Sequence, residues 1–94
     1  MNLTPKQISF LRSKAHPLEP LFQLGKQGVS EGFQRQVEEA LREHELIKLR
    51  VGRHVEVDLR ALAADFRACL VQNVGRTFVL YRPSDEPSLR LPEG

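Results

Sequence analysis

Leu24-Gly25-Lys26-Gln27-Gly28-Val29-Ser30 is the stretch on which the reading of the fold turns. Upstream lies a short apolar segment with Leu21, Phe22 and Leu24. Downstream, Ser30 is a credible N-cap for a helix whose apolar stripe is Phe33, Val37, Ala40 and Leu41. The stretch is therefore a strand-to-helix turn bracketed by two glycines. Glycine reaches φ > 0 cheaply and carries no Cβ, so another group can approach the main chain closely. The helix beyond opens with unpaired N–H groups and the positive end of its dipole, which together favour an anion. Lys26 adds a mobile cation at the tip. GxxG patterns also arise by chance, and the plain alternative is a connection that only turns the chain.

Outward from this turn the chain alternates helix and strand. Thr4-Pro5-Lys6-Gln7 predicts a first helix, with Thr4 at N-cap, Pro5 at N1 and Gln7 placed for a capping box. Ile8, Leu11 and Ala15 share a face, and the helix should stop before Pro17. Residues 21–24 are the first expected strand, and residues 31–44 the second helix. Leu46-Ile47-Lys48-Leu49-Arg50-Val51 alternates with period two, setting Ile47, Leu49 and Val51 on a buried side and Lys48 and Arg50 on a wet, basic side. A third helix is expected over residues 58–70, with Leu59, Leu62, Ala63, Phe66, Cys69 and Leu70 inward. Strands over 71–74 and 77–82 then close the domain through Gly75-Arg76, whose leading glycine suits a type II′ hairpin.

The expected order is α-β-α-β-α-β-β, an α/β domain of the two-layer α+β kind. Its four-stranded mixed sheet is backed by three helices, all on one face. Residues 1–83 form this single domain. From Pro83 the chain becomes polar and proline-containing, and residues 84–94 are expected to be a flexible tail.

Composition narrows the function classes. A chain of 94 residues can bury about 60% of its unfolded surface, enough for one core. With 14 Lys+Arg against 12 Asp+Glu the net charge is only +2, so any basic surface must come from segregation of charge. Cys69 is the sole cysteine, which excludes an internal disulfide and fits a reducing compartment. The amino-terminal run lacks a signal-peptide core and no apolar run is long enough to span a membrane, so a cytoplasmic protein with no membrane partner is expected. His16, His44 and His54 have no metal-ligand spacing around them, and no nucleophile elbow, Walker motif or dinucleotide fingerprint is present. No enzyme, metal site, cofactor or small-molecule substrate is expected.

Three separated runs carry a family likeness. They are residues 24–32 from Leu24-Gly25 to Glu31-Gly32, His44-Glu45-Leu46-Ile47-Lys48-Leu49, and Val74-Gly75-Arg76-Thr77-Phe78-Val79-Leu80-Tyr81-Arg82-Pro83. With Leu3-Thr4-Pro5-Lys6-Gln7 and Ala15-His16-Pro17-Leu18, they make the chain resemble the CRM domain (chloroplast RNA splicing and ribosome maturation), nearest to its free-standing bacterial form, the YhbY family. The resemblance implies an RNA-binding domain shaped like the C-terminal domain of bacterial translation initiation factor three, with a loop comparable to that of KH domains. It also implies association with large ribosomal subunit precursors, with ribosomal RNA as the partner. One departure is Glu19, where the family often carries lysine, which removes a positive charge ahead of the loop.

The candidate RNA-binding residues are Gly25, Lys26, Gln27, Gly28, Lys48, Arg50, Arg76 and Arg82. The loop members would meet phosphate, as the GXXG loop of KH domains does. Lys48 and Arg50 would form a stripe with Arg76 and Arg82 if their strands lie side by side, and a merely solvated sheet face is the alternative. Arg53, just past the strand, is a weaker candidate. Gly32 is expected to permit close packing on the sheet, Cys69 to be a small core residue, and Tyr81 to cover the sheet with its ring rather than stack on a base. A monomeric RNA-binding module is the first reading. The alternative is a small adaptor that recruits protein partners through its sheet face or edge.

Overall fold

The computed structural model describes residues 2–94. Its elements are α1 (Pro5–Ala15), β1 (Gln23–Leu24), α2 (Glu31–His44), β2 (Leu46–Val51), α3 (Leu59–Asp65), β3 (Cys69–Val74) and β4 (Thr77–Tyr81). The sheet order is β1-β2-β4-β3, with β1 parallel to β2 and the other pairs antiparallel. Three helices and a four-stranded mixed sheet were the expected class, in the expected order.

Local signals account for the helix starts. Thr4 accepts from the Gln7 amide while the Gln7 side chain accepts from the Thr4 amide, closing the capping box, with Pro5 in the first turn. Ser30 Oγ accepts from the Phe33 amide at 3.1 Å, and Asp58 Oδ1 takes the amides of Arg60 and Ala61. At the hairpin, Gly75 sits at φ +58° and Arg76 stays out of the left-handed region, as a II′ turn requires.

The layering differs from expectation. Ile47, Leu49, Phe78 and Leu80 pack under α2 and α3 with Phe33, Val37, Leu41, Leu62 and Phe66. Leu46, Val79, Tyr81 and Val71 point the other way and pack under α1 with Leu11 and Ala15. The sheet is thus sandwiched, α1 on one face and α2 with α3 on the other. The reason lies in β4, where Phe78, Val79, Leu80 and Tyr81 are all buried; a strand apolar at both parities must be covered twice. Tyr81, only 2% exposed, lies in the α1 cluster.

The boundary between α3 and β3 also moves. Leu59, Leu62, Phe66 and Cys69 keep helical spacing, but the helix ends at Asp65 and Arg67 turns the chain at φ +53°. Cys69 and Leu70 are strand residues opposite Tyr81 and Leu80. At the other edge, the β1 ladder is shorter than the expected 21–24, although the Leu21 amide still donates to Lys48 O and the Arg50 amide to Phe22 O. β4 stops at Tyr81 rather than Arg82.

Residues 84–92 are held against the domain, in contrast to the expected flexible tail. Leu89 and Leu91 pack onto the α1 cluster, and Gln7 Nε2 donates to Pro92 O at 3.0 Å. The anchor is Glu45, 1% exposed. Its carboxylate accepts from the amides of Ser84, Ser88 and Leu89 and from the hydroxyls of Ser84 and Ser88, at 2.9–3.0 Å. Glu45 caps α2 at φ +64°, a conformation that costs a side-chain-bearing residue roughly 1–2 kcal/mol. The five hydrogen bonds offset that strain.

Gly52 fastens β1 to β2. Its amide donates to Leu24 O at 2.8 Å, and a Cβ there would lie 3.3 Å from that same oxygen and 3.2 Å from Gln23 Nε2. Gly52→Val is expected to lower stability by about 1–3 kcal/mol through overpacking, read as a drop in urea midpoint. An unchanged midpoint would show that the junction is slack.

Candidate nucleic-acid interface

Strand directions bring three loops to one end of the sheet. β1 and β2 are parallel, so the chain leaves Leu24 and Val51 at the same edge. β4 begins there too: Arg50 pairs with Thr77, and the Val51 amide donates to Arg76 O at 2.7 Å. Residues 25–30, residues 52–58 and the Gly75–Arg76 turn are therefore neighbours. Lys26, Arg53 and Arg76 are all exposed. Ligands of open α/β sheets commonly settle beyond the carboxyl ends of parallel strands.

The GxxG segment is a closed turn. The Gly28 amide donates to Gly25 O at 3.0 Å and the Ser30 amide to Gly28 O at 3.1 Å. Gly28 sits at φ +73°, a conformation that favours glycine, while Gly25 lies outside the left-handed region; a Cβ at either would meet nothing within 4 Å. The amides of Glu31 and Gly32 precede the first intrahelical bond of α2 and point out of its positive end. Glu31, in that first turn, is the one acidic group at the helix start.

Loop and helix border an open cleft of about 790 Å³, lined also by Gln23, Phe33, Arg35, Gln36 and Glu39. Gly32 also lines it and does not pack on the sheet as expected: a Cβ there would find only Ser30 Oγ, at 3.9 Å. The reason is its place on α2, off the Phe33–Val37–Leu41 stripe. Arg35, Gln36 and Glu39 fall three, four and seven residues after it, on one helical face. That spacing was the available signal for the cleft wall.

Lys48 and Arg50 share the other face of the sheet, and only Arg50 stands near the loop end. They stand on the α1 face of β2, beyond the part that α1 covers. Lys48 is half-buried with Nζ 3.5 Å from His16 O, and Arg50 is exposed between Gln23 and Thr77. Arg76 caps the adjacent strand. The structure therefore brings Gly25, Lys26, Gln27, Gly28 and Arg76 to one end of the sheet with Arg50 one residue in from it, whereas Lys48 pairs with Val79 in mid-strand and turns to His16, away from that end.

Arg82 is not with them. Its guanidinium forms a two-pronged pair with Glu38 at 2.9 and 3.0 Å and donates to Phe66 O at 2.9 Å, leaving the side chain 17% exposed. Parity explains the displacement: Arg82 follows Phe78 and Leu80 on the α2–α3 face, whereas Arg50 opposes Thr77 on the α1 face. The hydrogen bond from Arg82 holds the Glu38 carboxyl below its ordinary pKa, against partial burial. Arg82 ties α2, α3 and β4 together.

The chain matches the model of the CRS1 / YhbY (CRM) domain over residues 3–82. It is 49% identical over 88 residues to the Bacillus subtilis protein YqeI, named a probable RNA-binding protein, with 89% of this chain and 92% of that one aligned. A Haemophilus influenzae protein named RNA-binding protein is 39% identical, over 96% of this chain and 95% of its own length. Among solved structures, that of Staphylococcus aureus SAV1595, described as a hypothetical protein and candidate RNA binder, superposes with TM-score 0.75 at 38% identity. It covers 97% of this chain and 100% of that one. Motif order, fold and full-length likeness agree, and the chain belongs to the CRS1 / YhbY (CRM) domain family.

Proposed function

We propose that this protein binds RNA as a monomer in the cytoplasm, gripping the sugar–phosphate backbone with its GxxG loop, and that it serves large ribosomal subunit precursors during ribosome assembly. The observation that carries the reading is the meeting of the Gly25–Gly28 turn, the start of α2 and the cations Lys26, Arg50 and Arg76 at one sheet end. Phosphate suits each of these groups: amides with no helical partner, a helix dipole and mobile charge. Relatives that carry the name RNA-binding protein over nearly their whole length support it.

The adaptor alternative loses ground on geometry. Both faces of the sheet carry helices, β1 offers two residues, and edge strand β3 is bulged at Val71, whose carbonyl takes Arg12 Nε at 3.2 Å. Such edges accept an added strand poorly.

The test is a salt titration. Lys26→Ala is expected to weaken binding to unrelated RNAs by a similar factor and to lower the salt slope by about one counterion. An unchanged slope would remove Lys26 from the interface, and salt-independent binding would favour a protein partner instead.

A further inference from the structure

Gln23, Arg50, Thr77 and Val74 stand in one row across the four strands. Gln23 pairs with Arg50, Arg50 with Thr77 and Thr77 with Val74, so their side chains share a face. It is the α1 face, because Val79 and Tyr81, of the same parity as Thr77, pack under α1. The helix does not cover this row: Gln23 and Arg50 are exposed, and Val74 is 60% exposed.

One end of the row is a cleft. Glu19, Pro20, Leu21, Phe22, Gln23 and Arg50 line a space of about 360 Å³. Leu21 is 45% exposed and Phe22 half-buried, so apolar surface meets water here. The Arg50 guanidinium has no ion pair or side-chain hydrogen bond among the described residues, in contrast to that of Arg82. Gln23 also lines the cleft beside the GxxG loop, so the two clefts adjoin.

Phosphate does not suit this second cleft. Glu19 repels it, and Leu21 and Phe22 offer it no donor. A base suits all of these groups. Guanidinium planes and apolar side chains take the flat face of a base. A carboxylate can only accept hydrogen bonds, which a base supplies through an amino group on its edge.

Resting on the RNA-binding reading above, we infer that this cleft is a base site. It seats one unpaired base of the strand whose backbone lies on the GxxG loop, stacked on Arg50 with an amino-bearing edge turned to Glu19. Cytosine, whose N4 amino group donates where uracil O4 accepts, is held in preference to uracil. Glu19, which takes positive charge away from the backbone grip, thereby serves the base instead.

The experiment measures binding of the full chain, by fluorescence anisotropy, to three single strands of about eight nucleotides. One is all cytidine, one all uridine, and one has the same phosphates on ribose without bases. A transcript of large-subunit ribosomal RNA is the fourth probe, followed by gel shift. Expected is binding at least about tenfold weaker to the abasic strand than to cytidine, and about fivefold weaker to uridine. Arg50→Lys keeps the charge and loses the plane, so it should leave the salt dependence unchanged and remove most of the gap between cytidine and abasic strands. Glu19→Gln should bring cytidine and uridine within about twofold, because an amide can accept from one base or donate to the other. With the transcript bound, four results overturn the inference and leave the RNA-binding reading standing. They are equal affinity for cytidine and abasic strands, a gap that survives Arg50→Lys, a cytidine-to-uridine ratio that is near one or unmoved by Glu19→Gln, and binding to none of the short strands. Failure to bind the transcript and all three strands overturns the RNA-binding reading itself, and the inference with it.

Discussion

Glu45→Gln is expected to destabilise the protein by about 3 kcal/mol at neutral pH and by progressively less as the solution is acidified below pH 5. Burial alone would raise the pKa of this carboxyl. The amides of Ser84 and Leu89 and the hydroxyls of Ser84 and Ser88 outweigh burial and hold it at about 2, against an ordinary 4.5. A depressed pKa means that the unfolded chain takes up the proton first. The stabilisation is complete above pH 4.5 and drains away as pH falls toward 2. Urea unfolding of the parent and the variant between pH 2 and pH 7 should give curves that converge in acid; parallel curves would deny the carboxylate this role. Glu38 also titrates low, but it is common to both proteins and cancels in the difference. Removing residues 84–94 should erase the gap between the two, because the donors leave with the tail.

Glu45 also shows where sequence reading stops. The first two helix starts were legible because a cap is a local device: Thr4 and Ser30 lie within three residues of the amides they accept, as Asp58, read only as the first residue of its helix, also does. The alternation in β2 and the hairpin at Gly75 were legible for the same reason. Glu45 meets donors about 40 residues away, and nothing near it marks a carboxylate that will be buried. Prolines and polar residues after Pro83 read as a flexible tail because the apolar members that dock, Leu89 and Leu91, are only two.

Two other misplacements have plainer causes. The apolar spacing of α3 runs through Phe66 into Cys69 without interruption, and the turn falls on Arg67, neither glycine nor proline, so no breaker announced it. Arg82 was assigned to the basic stripe by charge, although the parity of β4 already set it with Phe78 and Leu80. The same parity, applied to Val79 and Tyr81, would have put a helix on each face. Of the candidate site, the loop was legible from its motif. The cleft wall on α2 required the partner loop to be in place before Gly32, Arg35 and Gln36 could be seen to face it.

The loop is where a substitution should cost function most and stability least. Replacing Gly25 and Gly28 together by aspartate is expected to weaken RNA binding on the order of 100-fold, the loss of one or two charge-assisted hydrogen bonds from main-chain amides to phosphate. Both added carboxylates would repel a phosphate at the proposed contact, and a Cβ at either position meets no atom within 4 Å, so nothing in the core is displaced. The conformational cost falls on one site only. Gly28 at φ +73° would be strained by about 1 kcal/mol or more, whereas Gly25 accepts a side chain without that penalty. Gly25→Asp alone is therefore the cleaner probe, and the double variant the stronger one. Circular dichroism should show both folded, and both should fail to co-sediment with large-subunit precursor particles while the parent does so. A folded double variant that still binds RNA and still co-sediments would reduce the GxxG segment to a turn. RNA contact would then rest on Arg50 and Arg76, and their substitution should carry the full loss.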